Sequence, residues 1–296
     1  MGRFPTWIIV GAVVVLLAVA AADALRSTGG GAERRPEPRP TLDDLEGLLL
    51  LAEEDCSVQA LRLPDLTQEE PPRRADCRGA VWSDDATLVA ECVGGFTSIH
   101  NARGELVRRL PGCSPAWRAD GSLGVLSRGA LVLARSVFPP VVLMTRPDLH
   151  ASLSELVQSP EDYDFVAFDW IATSEFAAVV RGGRLDEQAL VVFTTRGQNE
   201  LIRTGLGRLV SSVRASPLGT YLTLTNNNPE RGFSVLTRDG DRVLLPRVED
   251  ARSLAWSPDE RWVALATPAK VVIARTGSRE VVASLPVGGE WISWLP

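Results

Sequence analysis

Short apolar runs separated by turn residues fill the chain from Leu45 onward, and they repeat with a period. Each unit reads as an apolar strand ending in tryptophan, a polar turn, a second apolar strand, a third, and usually a fourth. GAVWSDDATLVAE places Trp82 before a turn at 83–86, and SPAWRADGSLGVLS places Trp117 before a turn at 118–121. AFDWIATSEFAAVV and LAWSPDERWVALA supply Trp170 and Trp256, whereas SVRASPLGTYLTLT carries Arg214 at the strand end and keeps the turn at 216–219. Third and fourth strands are predicted at 96–100 with 106–110, 190–194 with 201–203, 233–236 with 243–245, and 271–274 with 281–285. Glycine and aspartate between them, as in Asn101-Ala102-Arg103-Gly104 and Arg238-Asp239-Gly240-Asp241, supply the positive φ that tight hairpins need.

With Trp294 as the sixth marker, the intervals are 35, 53, 44, 42 and 38 residues. Their mean of about 42 is the period of a four-stranded propeller blade. The two ends then explain each other. LEGLLLLAE at 45–53 is a second strand lacking a first, and 289–295 is a first strand lacking a second. Paired, they complete one blade and remove an exposed edge. The expected fold is all-β, a six-bladed propeller closed by its C-terminal strand.

The WSPDE turn at 256–260, with its looser relatives WSDDA and WRADG, resembles the blade signature of TolB-like, WD-repeat-like propellers over residues 43–296. The resemblance implies a six-bladed ring and a binding role, and names no ligand. A tryptophan at the marker position serves more often as a wedge between blades than as a ligand platform.

Before the repeats, residues 7–22 (WIIVGAVVVLLAVAAA) carry no charge and follow a short basic start, Met1-Gly2-Arg3. With their flanks they approach the roughly 30 Å hydrocarbon core of a bilayer. Residues 1–26 are therefore expected to form a single-pass transmembrane anchor; a cleaved signal peptide is the alternative reading. Residues 27–42, rich in glycine, proline and charge, read as a spacer. Arg26, Arg34, Arg35 and Arg39 argue by charge count for keeping the large domain inside. The cysteines argue for the opposite side.

Those cysteines fall at 56, 77, 92 and 113, so that 21 residues separate Cys56 from Cys77 and Cys92 from Cys113. Pairing them this way lets one geometry serve two successive blades. Cys77 with Cys92 would leave Cys56 to reach Cys113 across a whole blade, beyond the roughly 7 Å that a bridge spans between Cα atoms. Zinc is the competing reading, but no CxxC or Cys/His clustering accompanies them. Disulfides place the propeller outside the cytoplasm, and the expected location is the cell membrane with the propeller on the extracytoplasmic side.

The net charge of -6, with both signs interspersed, lacks the basic stripe that follows a phosphate backbone, so nucleic acid is not an expected partner. His100 and His150, the two histidines of the chain, give few ways to build a metal site or a nucleophilic triad. No phosphate loop, cofactor motif or catalytic set is legible. The acidic pairs Asp84-Asp85 and Asp162 with Asp164 could hold a cation or move a proton, with turn capping as the default. One segment breaks the rhythm: a helix is expected near 147–158, with Leu149, Leu153, Leu156 and Val157 on one face. It either packs on its own blade in place of a missing or short fourth strand, or stands over one end of the ring. In the second case Met144, Arg146 and His150 are exposed contact candidates. The functional expectation is a membrane-tethered, protein-binding or scaffold module of the cell envelope, with an envelope protein as partner and no cofactor. The alternative is a small-molecule sensor or a propeller hydrolase or lyase with a site at the channel mouth.

Overall fold

The computed structural model describes residues 41–53, 57–69, 80–135, 139–154, 156, 160–182, 187–206, 209–226 and 232–296. The expected anchor at 1–26, nearly all of the spacer, and Cys56 and Cys77 lie outside these residues. Among the described residues no helix is long and apolar enough to cross a membrane.

From Thr41 onward the chain is one compact unit of antiparallel sheets. Blade one holds β1 (Gly47–Ala52), β2 (Val58–Leu63) and β3 (Thr67–Glu69). Blade two follows as β4 (Val81–Trp82), β5 (Leu88–Val93), β6 (Phe96–Asn101) and β7 (Leu106–Pro111). Blade three is β8 (Cys113–Trp117), β9 (Leu123–Ser127), β10 (Ala130–Ala134) and β11 (Val141–Met144). After the helix α1 (Arg146–Leu153), blade four comprises β12 (Asp164–Ala172), β13 (Glu175–Gly182), β14 (Glu187–Thr194) and β15 (Asn199–Arg203). Blade five has β16 (Val210–Ala215), β17 (Tyr221–Asn226) and β18 (Phe233–Thr237). Blade six has β19 (Ser253–Trp256), β20 (Trp262–Ala266), β21 (Val271–Arg275) and β22 (Val281–Leu285), and β23 (Trp291–Leu295) returns to blade one. The sheet order there is β23-β1-β2-β3, with Leu49 opposite Trp294 and Leu51 opposite Ile292. The ring is closed by the two ends of the repeat.

Both faces of each sheet are apolar because side chains alternate along a strand. On β13, Phe176, Ala178 and Val180 enter the core between blades three and four, while Ala177 and Val179 enter the one between blades four and five. On β20, Trp262, Ala264 and Ala266 face blade one, while Val263 and Leu265 face blade five. Six such clusters among the described residues match the six seams of the ring. A sheet buried on both sides cannot be half of an open two-layer sandwich, and here its neighbours on both sides are other sheets of the ring.

The marker residues wedge each blade against the one before it. Trp117 Nε1 donates to the Val81 carbonyl of blade two at 2.9 Å, and Trp256 Nε1 donates to Thr223 Oγ1 of blade five at 3.2 Å while stacking on Tyr221. Trp82 packs with Leu50 and Leu295 of blade one. At Gly124 of blade three a Cβ would meet Phe168 and the Trp170 ring nitrogen, so glycine there is what admits the wedge.

Two expected elements differ. Blade five lacks its fourth strand: pairing stops at one bridge, Leu236 with Arg242. Val243, Leu245 and Val248 instead turn into the core shared with blade six, where apolar burial outweighs further ladder bonds. The second difference is α1, which does not replace a fourth strand. Blade three has one in β11, which exists because Val141 and Val142 pair with Leu133 and Val132. The helix begins with a reciprocal cap between Thr145 and Asp148 and has Pro147 in its first turn. It buries Leu149 and Leu153 between blades three and four, and Asn199 Nδ2 of β15 donates to the Ser152 carbonyl at 2.6 Å. Val157 and Gln158 lie outside the described residues.

Cys92 of β5 and Cys113 of β8 form the expected disulfide, with Cα atoms 5.1 Å apart. It staples blade two to the first strand of blade three.

Candidate functional site at the hub

The first strands of blades two, three, five and six are followed by the same turn. In these four blades, the fourth turn residue donates its N–H to the carbonyl of the first: Ala86 to Ser83, Gly121 to Arg118, Gly219 to Ser216 and Glu260 to Ser257, all at 2.8–2.9 Å. That fourth residue has φ between 56° and 77° in every case. Asp85 is the capping member of its acidic pair. It accepts from Ser83 Oγ at 2.6 Å and from the Thr87 N–H at 3.1 Å, and these bonds hold its carboxyl below the usual range. Asp259 repeats the contact with Ser257 Oγ at 2.6 Å.

Side chains of non-neighbouring blades can meet only near the axis, and one set does. Arg214, on the first strand of blade five, donates from Nη1 to the Pro115 carbonyl of blade three at 3.4 Å. A register break between Cys113 and Ala116 leaves Pro115 out of the ladder. Between these blades lies Asp169 of β12, which is 9% exposed. Its Oδ1 accepts from the Trp170 N–H at 3.0 Å and its Oδ2 from the Ala215 N–H at 2.9 Å. Burial raises the Asp169 pKa; the Arg214 charge and the two N–H donors oppose that rise, and the charge of Asp84 from blade two adds to it. Asp84 sits at the open rim of the same region. Protein around its carboxyl displaces enough water to raise its pKa, and Asp85 pushes in the same direction. The hub thus sets Asp169 of blade four against the Arg214–Ala215 stretch of blade five, with the charge of Asp84 from blade two felt there.

Arg214 is legible in the sequence as a departure from the tryptophan pattern, whereas Asp169 falls at no marker position of the repeat. The signal was present: Arg214 replaces the wedge, and Asp169 is a lone carboxylate in the apolar run VAFDWIA of the preceding blade.

The helix-associated candidates are dispersed. Met144 is 4% exposed and lies in the core between blades three and four, because β11 turns it inward opposite Leu131. The exposed position expected for it is not found. Arg146 is an exposed residue whose Nε lies 2.6 Å from Asp164 Oδ1. His150 is partly buried with Nε2 3.0 Å from the Tyr163 carbonyl, an acceptor, so that nitrogen carries the proton. His100 is also partly buried, its Nε2 3.1 Å from Glu91 Oε1.

No family model matches the chain, and no curated protein sequence is similar to it. Among solved structures it is similar to TolB from Acinetobacter baumannii, with TM-score 0.51 and 12% identity, covering 87% of this chain and 68% of that one. It is also similar to a putative TolB from Agrobacterium tumefaciens, with TM-score 0.48, 12% identity, and coverage of 84% and 98%. A chain of a nidogen–laminin complex is similar at TM-score 0.49 and 12% identity, with coverage of 84% and 98%. At such identity the likeness to the Acinetobacter protein is one of fold. The fold is that of a six-bladed β-propeller.

Proposed function

We propose that this chain is a membrane-tethered extracytoplasmic propeller that binds another protein of the cell envelope on the face formed by its first-to-second-strand turns. The reading rests on the closed ring stapled by Cys92–Cys113, since structural disulfides persist in oxidising compartments. Residues 7–22 supply the tether and 27–42 the spacer. The rim supports the choice of face, because Leu218 is 68% exposed there on a turn fixed beneath by Glu260. Fixed backbone under an exposed apolar side chain lowers the ordering cost of association.

The test is a photo-crosslinking residue at Leu218 in the full chain in its native envelope, combined with protease digestion of spheroplasts. One discrete protein adduct and digestion of the propeller are expected. A propeller protected in spheroplasts, or an adduct pattern identical to that from Leu106 on the outer perimeter, overturns the reading.

A second reading draws on the hub. Asp169, held against the backbone of Ala215 next to Arg214, and Asp84, whose charge reaches it from blade two, could take a small ligand at the channel mouth. Against general acid chemistry, both oxygens of Asp169 are already engaged by backbone N–H groups. Thermal protection by a metabolite, lost in Arg214→Met, would favour this second reading.

A further inference from the structure

A groove lies on the perimeter, where blade five lacks its outer strand. It has a volume of about 510 Å³ and is lined by β18 from Phe233 to Val235, by residues 242–248, and by Leu265 of blade six as its floor. The hydrogen-bond pattern defines what fits. Val243 N–H donates to the Val235 carbonyl at 3.0 Å and Thr237 N–H to the Asp241 carbonyl at 2.7 Å. Odd-numbered residues of β18 therefore turn their backbone groups outward, away from β17. Past Val243 the chain leaves the edge. Among the described residues the Val235 N–H and both backbone groups of Phe233 then have no backbone partner. Unpaired strand groups beside an apolar floor are a template for one more strand. At the open side stand Arg242 and Arg247, both exposed and neither paired with a carboxylate among the described residues. Asp250 lies at the far end of the groove.

We propose that this groove takes an extended strand of a partner protein, which pairs with Phe233 and Val235, turns alternate apolar side chains onto Leu265 and Val235, and sets acidic side chains against Arg242 and Arg247. The strand supplies the place that a fourth strand occupies in the other five blades. The site is on the perimeter and stands independently of the rim face.

The experiment uses the full-length chain in detergent and three fluorescent octapeptides: alternating Val and Glu, alternating Val and Lys, and the first peptide with its inward amides N-methylated. The Val-Glu peptide is expected to bind, to slow deuterium exchange over 232–237, and to lose affinity on N-methylation. In Arg242→Glu/Arg247→Glu, both changes being at exposed positions, its affinity should fall by about tenfold or more, while that of the Val-Lys peptide rises. Absence of binding at about 1 mM, equal affinity for the double variant, tolerance of N-methylation, or exchange protection confined to other blades would each overturn the proposal. Self-association through this groove that the peptide fails to displace would assign it to a second copy and overturn the proposal as well.

Discussion

Trp294 donates its indole N–H to the carbonyl of Glu46 at 2.8 Å, across a separation of 248 residues. Its strand partner is Leu49, and Gly47 stands between the two contacts with φ 115°. A Cβ at Gly47 would run into the Leu295 carbonyl and the Trp294 ring nitrogen. The seam therefore depends on a glycine that tolerates this backbone and on an indole that needs its space.

The first prediction concerns that seam. Gly47→Ala should destabilise the propeller by about 3 kcal/mol, from a disfavoured φ together with steric overlap. Trp294→Phe should cost less, about 1–2 kcal/mol, because it keeps most of the apolar contact and strands the Glu46 carbonyl. Urea unfolding followed by tryptophan fluorescence checks both. Equal costs would mean that the indole bond, rather than the close approach, governs closure.

The disulfide gives the second. The bridge closes a loop of sequence separation 21, so chain entropy assigns it about 3 kcal/mol. Cys92→Ser/Cys113→Ser should lose about that much stability at constant pH. Alkylation with and without reductant, read by mass, should show these two thiols blocked in protein taken from the native envelope and free in protein made in a reducing cytoplasm.

The ring, its closure and this bridge were legible because each leaves a local signature that repeats: a tryptophan, a turn, a cysteine spacing. The hub was not, since Asp169 and the Ala215 N–H that it accepts from lie 46 positions apart on neighbouring blades, and only the ring's curvature brings Pro115 opposite Arg214. Met144 and the outer strand of blade five were misplaced for one reason. Sequence alternation shows that a run can pair, but whether Val243 and Leu245 pair or turn inward depends on the seam with blade six. Arg214 carried a visible signal at the level of the repeat, as the one marker position without an aromatic ring among those at 82, 117, 170, 214, 256 and 294.

The third prediction separates two residues sharing one turn position. Ala86 and Glu260 have φ 56° and 57°, a region costly for any residue with a Cβ. Ala86→Gly should stabilise by roughly 0.5–1 kcal/mol as that strain is released, less the entropy of the added glycine. Glu260→Gly releases the same strain but removes the acceptor for Leu218 N–H at 2.6 Å and Thr220 N–H at 3.4 Å. It should destabilise by about 1–2 kcal/mol. Opposite signs in paired thermal and urea melts are the expected result.

The last prediction is a pH dependence at Asp169. Its folded pKa is raised, first by burial, with Arg214 and two N–H donors opposing. The folded state therefore holds this proton more tightly than the unfolded chain, whose carboxyl titrates near about 3.9. The resulting stabilisation is fully present below that value and is lost as pH rises through the folded pKa. Asp85, depressed by its turn bonds, runs the other way, contributing above the unfolded value and losing that contribution as pH falls. The stability of the parent relative to Asp169→Asn should accordingly fall as pH climbs above about 4, whereas the difference from Asp85→Asn should grow as pH rises toward about 4 from below and level off above it. Arg214→Met adds a second constraint: without the cation, the Asp169 pKa rises further and the fall extends to higher pH. A parent-minus-Asn difference that stays flat, or that rises with pH, would mean that Arg214 and the backbone donors outweigh burial and that the hub holds a carboxylate rather than an acid.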